Sequence, residues 1–121
     1  MSSKSFMQHQ REIDRASDIE LDMERIEQDM REILLAGDEF PLTYRNQSGI
    51  RCHNCYDRDD VVDAMVELDA DGFNRAVMMT RTDPIEAAKF LTALMSRAVE
   101  QVIGLAPIRE AAEFTETEEA A

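Results

Sequence analysis

Six apolar residues set the terms for the first third of this chain. Ala16, Ile19, Met23, Ile26, Met30 and Ile33 follow one another at intervals of 3, 4, 3, 4 and 3. An α-helix puts residues so spaced on one face, because its turn takes about 3.6 residues. Leu34 and Leu35 widen the stripe, Gly37 is a natural stop and Pro41 follows soon after. The spacing therefore predicts a first helix over 9–36, with Met1 to Gln8 frayed or weakly helical. Gly and Pro number only 4 and 3 in 121 residues, which favours further helices over a turn-rich all-β fold.

A stripe of this kind must be covered by something. Read as heptads, Ala16, Met23 and Met30 take position a, while Ile19, Ile26 and Ile33 take position d. The flanking positions then hold Glu20, Asp22, Glu27 and Asp29. A parallel homodimer would set Asp22 against Glu27 of its partner, which is repulsive. The helix is better suited to packing within the fold, or to an antiparallel or heterologous partner.

Beyond the first helix the pattern changes. Leu42 and Tyr44 alternate with polar neighbours, as do Ile50 and Cys52, and Asn46-Gln47-Ser48-Gly49 between them is a turn sequence. This reads as a short β-hairpin. Asp59 and Asp60 can cap a second helix carrying Val61, Val62, Met65 and Leu68, expected to end near Asp71-Gly72. Phe73 to Thr80 reads as a helix turn or a third strand, with a slight lean to helix. Asp83 before Pro84 starts a third helix over about 84–104. That helix is apolar around most of its girth, which suits a core centre or a subunit interface. The expected fold is mainly α: a long N-terminal helix, a short β-hairpin, then two or three helices. A small α+β fold with a three-stranded sheet is the alternative. One helical domain is expected over 1–108, with an acidic flexible tail over 109–121.

Charge narrows the function classes. The net charge of −13 repels phosphates, so direct nucleic-acid binding is not expected. The same field keeps a protein soluble and attracts basic surfaces. No apolar run approaches the ~20 residues that span a bilayer, and the first eleven residues lack the apolar core of a signal peptide. A membrane location is not expected. The reading is a cytoplasmic protein, with both cysteines in one Cys-x-x-Cys.

Four groups of residues could carry chemistry. Cys52 and Cys55 have the spacing of a zinc pair, but one chain offers no second pair, so a zinc site would have to close between two chains. A loop bearing Cys-x-x-Cys between helices is similar to the zinc hook of SMC-like repair ATPases. Two ordinary hairpin cysteines are the simpler reading, and no cofactor is otherwise expected. Tyr44, Arg45 and Arg51 lie in the one acid-free, locally basic stretch, and would suit a phosphate-bearing small molecule or nucleotide through guanidinium forks and a stacking ring. A plain polar turn is the simpler reading of them. Glu24 with Glu27, and Asp60 with Asp63, each sit three apart on a helix. The pairs resemble the acidic motifs of all-α nucleotide pyrophosphohydrolases, which implies Mg²⁺ held between helices. Among 26 acidic residues such pairs also arise as solvated faces. Glu67 to Gly72 imitates the start of a calcium loop, but position 12 would be Met78, which cannot ligate calcium. No catalytic residue is nominated.

The leading expectation is a non-enzymatic regulatory or inhibitory protein. It would act by protein–protein contact through acidic helix faces, with Glu20, Asp22, Glu27 and Asp29 touching the basic surface of a partner such as a nucleic-acid-binding protein. The composition resembles that of small acidic bacteriophage proteins that block host nucleic-acid-handling systems, which implies inhibition by occupying a basic groove. The apolar third helix and eight methionines point to a homo-oligomer. An oligomeric binder of a phosphate-bearing molecule is the alternative, and an Mg²⁺-dependent pyrophosphohydrolase the second alternative.

Overall fold

Gly37 ends the first helix as its sequence suggests. It takes φ 82°, and its N–H donates to Leu34 O while that of Asp38 donates to Ile33 O, both at 3.1 Å. These paired bonds satisfy carbonyls that a helix end would otherwise leave open, and only Gly adopts that φ without steric cost. The computed structural model describes the backbone of residues 2–120 and the side chains of residues 18–114. Helix α1 spans Ser2–Leu35, longer at its start than the stripe alone predicts. The early stripe member Ala16 lies outside the residues whose side chains are described.

Strands β1 (Phe40–Arg45) and β2 (Arg51–Tyr56) form a two-stranded antiparallel hairpin. Asn46 closes its turn. The Asn46 Oδ1 atom accepts from Ser48 and Ile50 N–H at 2.9 and 3.0 Å, and Gly49 takes φ 80°. No third strand forms among the described residues.

Phe73 to Thr80 is instead helical, because α2 continues across Arg58–Met79. Two details differ from the sequence reading. The N-cap is Asp57 rather than Asp59 or Asp60; its carboxylate accepts from both of their N–H groups, and Asp60 Oδ2 accepts in return from Asp57 N at 2.9 Å. Gly72 does not terminate the helix. The break falls at Asp69 (φ −159°, ψ 79°), whose Oδ1 accepts from Gly72 N–H at 3.0 Å. Asp69 thus caps a second helical segment on the same path, the role of an N-cap toward its third following residue. Gly72 is there because a Cβ would lie 2.6 Å from Phe90 Cζ and closer still to the Asp69 carboxylate.

Helix α3 spans Pro84–Leu105 and starts as predicted, with Asp83 as cap and Pro84 in its first turn. Glu67 lies beside Gln101, and Met79 beside Glu86 and Phe90, so α2 and α3 run antiparallel. Ala64, Met65 and Ala76 of α2 are buried, as are Ala87, Leu94 and Ala98 of α3. Small residues on both helices let the two backbones approach closely.

After α3 comes α4, Ile108–Ala120. This helix falls on the stretch read from sequence as an acidic tail over 109–121. Ile108, Ala111 and Ala112 are buried, and their i, i+3, i+4 spacing anchors one helical face.

Contacts gather the chain into two compact units. One comprises Met1–Gln28, Thr43–His53 and Pro107–Ala121, the other Asp29–Leu42 and Asn54–Ala106. Within the second unit, Arg31 grips Glu100 with two nitrogens, Nη2 2.6 Å from Oε1 and Nε 2.9 Å from Oε2. Arg31 holds the Glu100 carboxyl below its usual range, by hydrogen bonding first and charge second, against the opposing effect of partial burial. The stabilisation is present above the unfolded carboxyl pKa and is lost as pH falls through the folded one. Half-exposed to solvent, the pair contributes at most about 1 kcal/mol. No helix among the described residues is long and apolar enough to cross a membrane.

Candidate partner-binding groove

The first half of α2 is densely acidic. Seven acids and one arginine occupy the stretch from Asp57 to Asp71. Helical spacing sorts them. Asp60, Asp63 and Glu67 fall at i, i+3 and i+7 and share one face, which turns toward the last turns of α3. There they line an open groove of about 190 Å³ with Tyr56, Gln101 and Leu105. Ala64 and Val102 form its apolar floor. Leu105, 80% exposed, forms an apolar wall that nothing in the described chain covers.

Neighbours fix most of the rim. Gln101 Nε2 donates to Glu67 Oε2 at 3.0 Å, Asn54 Nδ2 donates to Tyr56 Oη at 3.1 Å, and Asp60 is held by the cap. Asp63 is different: its carboxylate makes no hydrogen bond or ion pair with any described residue. The groove thus combines an apolar floor, a positioned rim and one uncommitted carboxylate. Small-molecule pockets run to about 300–1,000 Å³. This groove is smaller, nearer the ~150 Å³ that holds one benzene. Its volume is of the order of a single side chain.

The other sequence-nominated residues are placed less favourably. Arg45 and Arg51 lie opposite one another on one face of the hairpin, their guanidinium carbons 5.5 and 5.7 Å from the centre of the Phe114 ring. Tyr44 points to the other face, since strand side chains alternate. The hairpin therefore brings the two arginines together and leaves the tyrosine out. Thr43 Oγ1 and His53 Nδ1 pair across the strands at 2.9 Å on the arginine face.

Cys52 and Cys55 both lie on β2, three residues apart. An odd spacing in a strand sends side chains to opposite faces. Their sulfurs bond in different directions, Cys52 to Ile50 O at 3.5 Å and Cys55 to Glu39 Oε2 at 3.9 Å. Among the described residues no three His, Cys, Asp or Glu side chains gather as a metal site. Neighbouring atoms strip hydration from the Cys55 thiol, and Glu39, Asp57 and Asp60 repel a thiolate, so its pKa is raised. Glu39→Gln removes a repelling charge and should move the pH profile of Cys55 alkylation to lower pH, with faster labelling at pH 8. Peptide-resolved mass spectrometry with iodoacetamide reads this, and an unchanged profile would show that Glu39 does not set the thiol's reactivity.

On α1, Glu20 and Asp29 are exposed, while Asp22 and Glu27 are half-buried and Asp22 pairs with Arg25 one turn on. Seven-residue spacing puts Glu20 and Glu27 on one side of the helix and Asp22 and Asp29 on the other. Glu24 and Glu27 belong to the first compact unit, Asp60 and Asp63 to the second. Sequence reasoning missed Tyr56, Glu67, Gln101 and Leu105 as a set. The three carboxylates Asp60, Asp63 and Glu67 were visible on one helix, but not the helix end that completes the groove.

No known protein family matches the chain, and no curated protein or solved structure is similar to it.

Proposed function

We propose that the protein is a non-enzymatic regulatory or inhibitory protein that binds the basic surface of another protein, and that the groove of α2 and α3 takes an arginine or lysine side chain of that partner. The observation that carries this reading is the uncommitted Asp63 carboxylate beside an uncovered apolar wall at Leu105. A long basic side chain has the same two-part character, an apolar stem and a charged head. The surrounding charge supports the same partner class, since a chain of −13 draws a basic surface toward it from a distance. Glu20 and Asp29 of α1 are exposed and add to that acidic charge. A nucleic-acid-binding protein fits best as partner, because its phosphate-binding surface presents arginines and lysines in rows. Occupying that surface inhibits it. A phosphate-bearing ligand at Arg45 and Arg51 is less well supported, since both guanidinium groups already cover Phe114 and Tyr44 faces away.

Titration with a fluorescent arginine-rich peptide tests the reading. Saturable binding is expected, weakening as salt rises from 50 to 300 mM because exposed charges are screened. A neutral peptide of equal length should not bind. Absence of saturable binding to the arginine peptide at low salt would refute the proposal.

A further inference from the structure

The acidic groove is not the whole exposed surface of α3. At the other end of that helix, Ile85 is 68% exposed, and Ala88, Thr92 and Ser96 continue its line at intervals of 3, 4 and 4. These residues lie away from buried Ala87, Leu94 and Ala98. An open apolar hollow runs along the same stretch, lined by Pro84, Ile85, Ala88, Lys89, Thr92 and Ala93. We propose that this half of α3 is the contact face of a homodimer, in which a second copy packs its own α3 antiparallel against it.

Charge identifies the occupant. The chain as a whole carries −13, so two copies repel over most of their surface. This face is close to neutral, with two acids, Glu86 and Glu100, the second already held by Arg31, and two bases, Lys89 and Arg97. Lys89 Nζ already lies 3.4 Å from Glu86. Arg97 makes no ion pair with any described residue. Glu86 and Arg97 are eleven residues apart, about three full turns, and so stand on the same edge of the helix. An antiparallel pairing centred near Thr92 sets Glu86 of each copy level with Arg97 of the other. The two-fold axis makes this happen twice, and a face that complements itself in this way is the mark of an isologous dimer. The centre of the contact is Ala88, Thr92 and Ala93, small enough for the helices to approach to about 8 Å. A basic partner protein would find no excess of acid here.

Sedimentation velocity of the full chain from 2 to 200 µM is the test, with circular dichroism to confirm that each variant is folded. The wild type should associate to a dimer in this range. Thr92→Glu sets two carboxylates at the axis and should leave a folded monomer. Arg97→Glu opposes Glu86 across the interface and should weaken association at least about tenfold, each tenfold being about 1.4 kcal/mol. Glu86→Arg combined with Arg97→Glu restores opposite charges and should recover the dimer. A wild type that stays monomeric to 200 µM overturns the proposal, and so does a Thr92→Glu variant that still dimerises. A double variant no tighter than Arg97→Glu alone overturns the antiparallel register. None of these outcomes touches peptide binding at Asp63, which lies on the other helix, so the two readings fail separately.

Discussion

Asp63→Lys is expected to weaken binding of an arginine-rich peptide by about 30-fold, while Asp18→Lys weakens it by less than about threefold. Both substitutions move the net charge from −13 to −11, because each replaces a carboxylate with an ammonium group. Bulk attraction falls equally in the two variants, so the difference between them isolates the groove. At ~4 Å and an effective dielectric of ~20, a carboxylate attracts a guanidinium by about 4 kcal/mol. Desolvation and salt return much of that. A net effect of about 2 kcal/mol, or about 30-fold, remains because reversal removes an attraction and adds a repulsion. Asp63 suits the experiment because it makes no hydrogen bond with a described residue, so its loss should leave the fold intact. Asp60 would not serve, since it completes the cap of α2. Isothermal titration calorimetry at fixed ionic strength reads both variants. Equal weakening would mean that the chain attracts basic peptides through its overall charge alone, and the groove would lose its assigned role. Leu105→Ser adds a second axis: it trims the apolar wall without changing charge and should weaken binding with little change in salt dependence.

The sequence pattern exposed the parts of this molecule that rest on local chemistry. The stripe from Ile19 to Ile33 locates α1, Asn46 with Gly49 locates the hairpin turn, and Asp83-Pro84 starts α3. Each signal is a few adjacent residues whose backbone preference decides the outcome. Where competing signals stand together, local reading fails. Asp71-Gly72 looks like a helix end, yet Asp69 three residues earlier breaks the helix and immediately caps its continuation. Ile108, Ala111 and Ala112 are too few and too small to outweigh the acids around them in sequence, but burial makes them the anchor of α4. The groove was half legible. Acids at Asp60, Asp63 and Glu67 share a face in any helical reading, whereas Gln101 and Leu105 join them only once α3 folds back along α2. The hairpin trio divides between two faces for a simpler reason. Residues 44 and 45 are adjacent in a strand and must face opposite ways.

Leu94→Ala should cost about 3–4 kcal/mol of unfolding free energy, a large share of the ~5–15 kcal/mol that a domain possesses. Leu94 is 2% exposed. The penalty for truncating a buried leucine spans about 2–5 kcal/mol, and the spread depends on how far the surroundings collapse into the space left behind. Here they are poorly equipped to do so. Ala64 and Ala76 of α2 and Ala87 and Ala98 of α3 are also buried, and an alanine has no rotamer with which to refill a hole. Closing the cavity would require the two helix backbones to move, and these are tied by the short turn before Asp83 and by the bond from Gln101 to Glu67. A cost above the low end of the range follows. Leu94→Met conserves volume and should cost less than about 1.5 kcal/mol, because the flexible thioether can occupy the leucine's space. Urea denaturation followed by circular dichroism compares the two, with an unchanged m-value certifying that stability alone has shifted. A Leu94→Ala cost below about 1 kcal/mol would mean that the alanine-lined seam is loosely packed and closes freely, and the close approach of α2 and α3 would then have to rest on contacts other than this buried face.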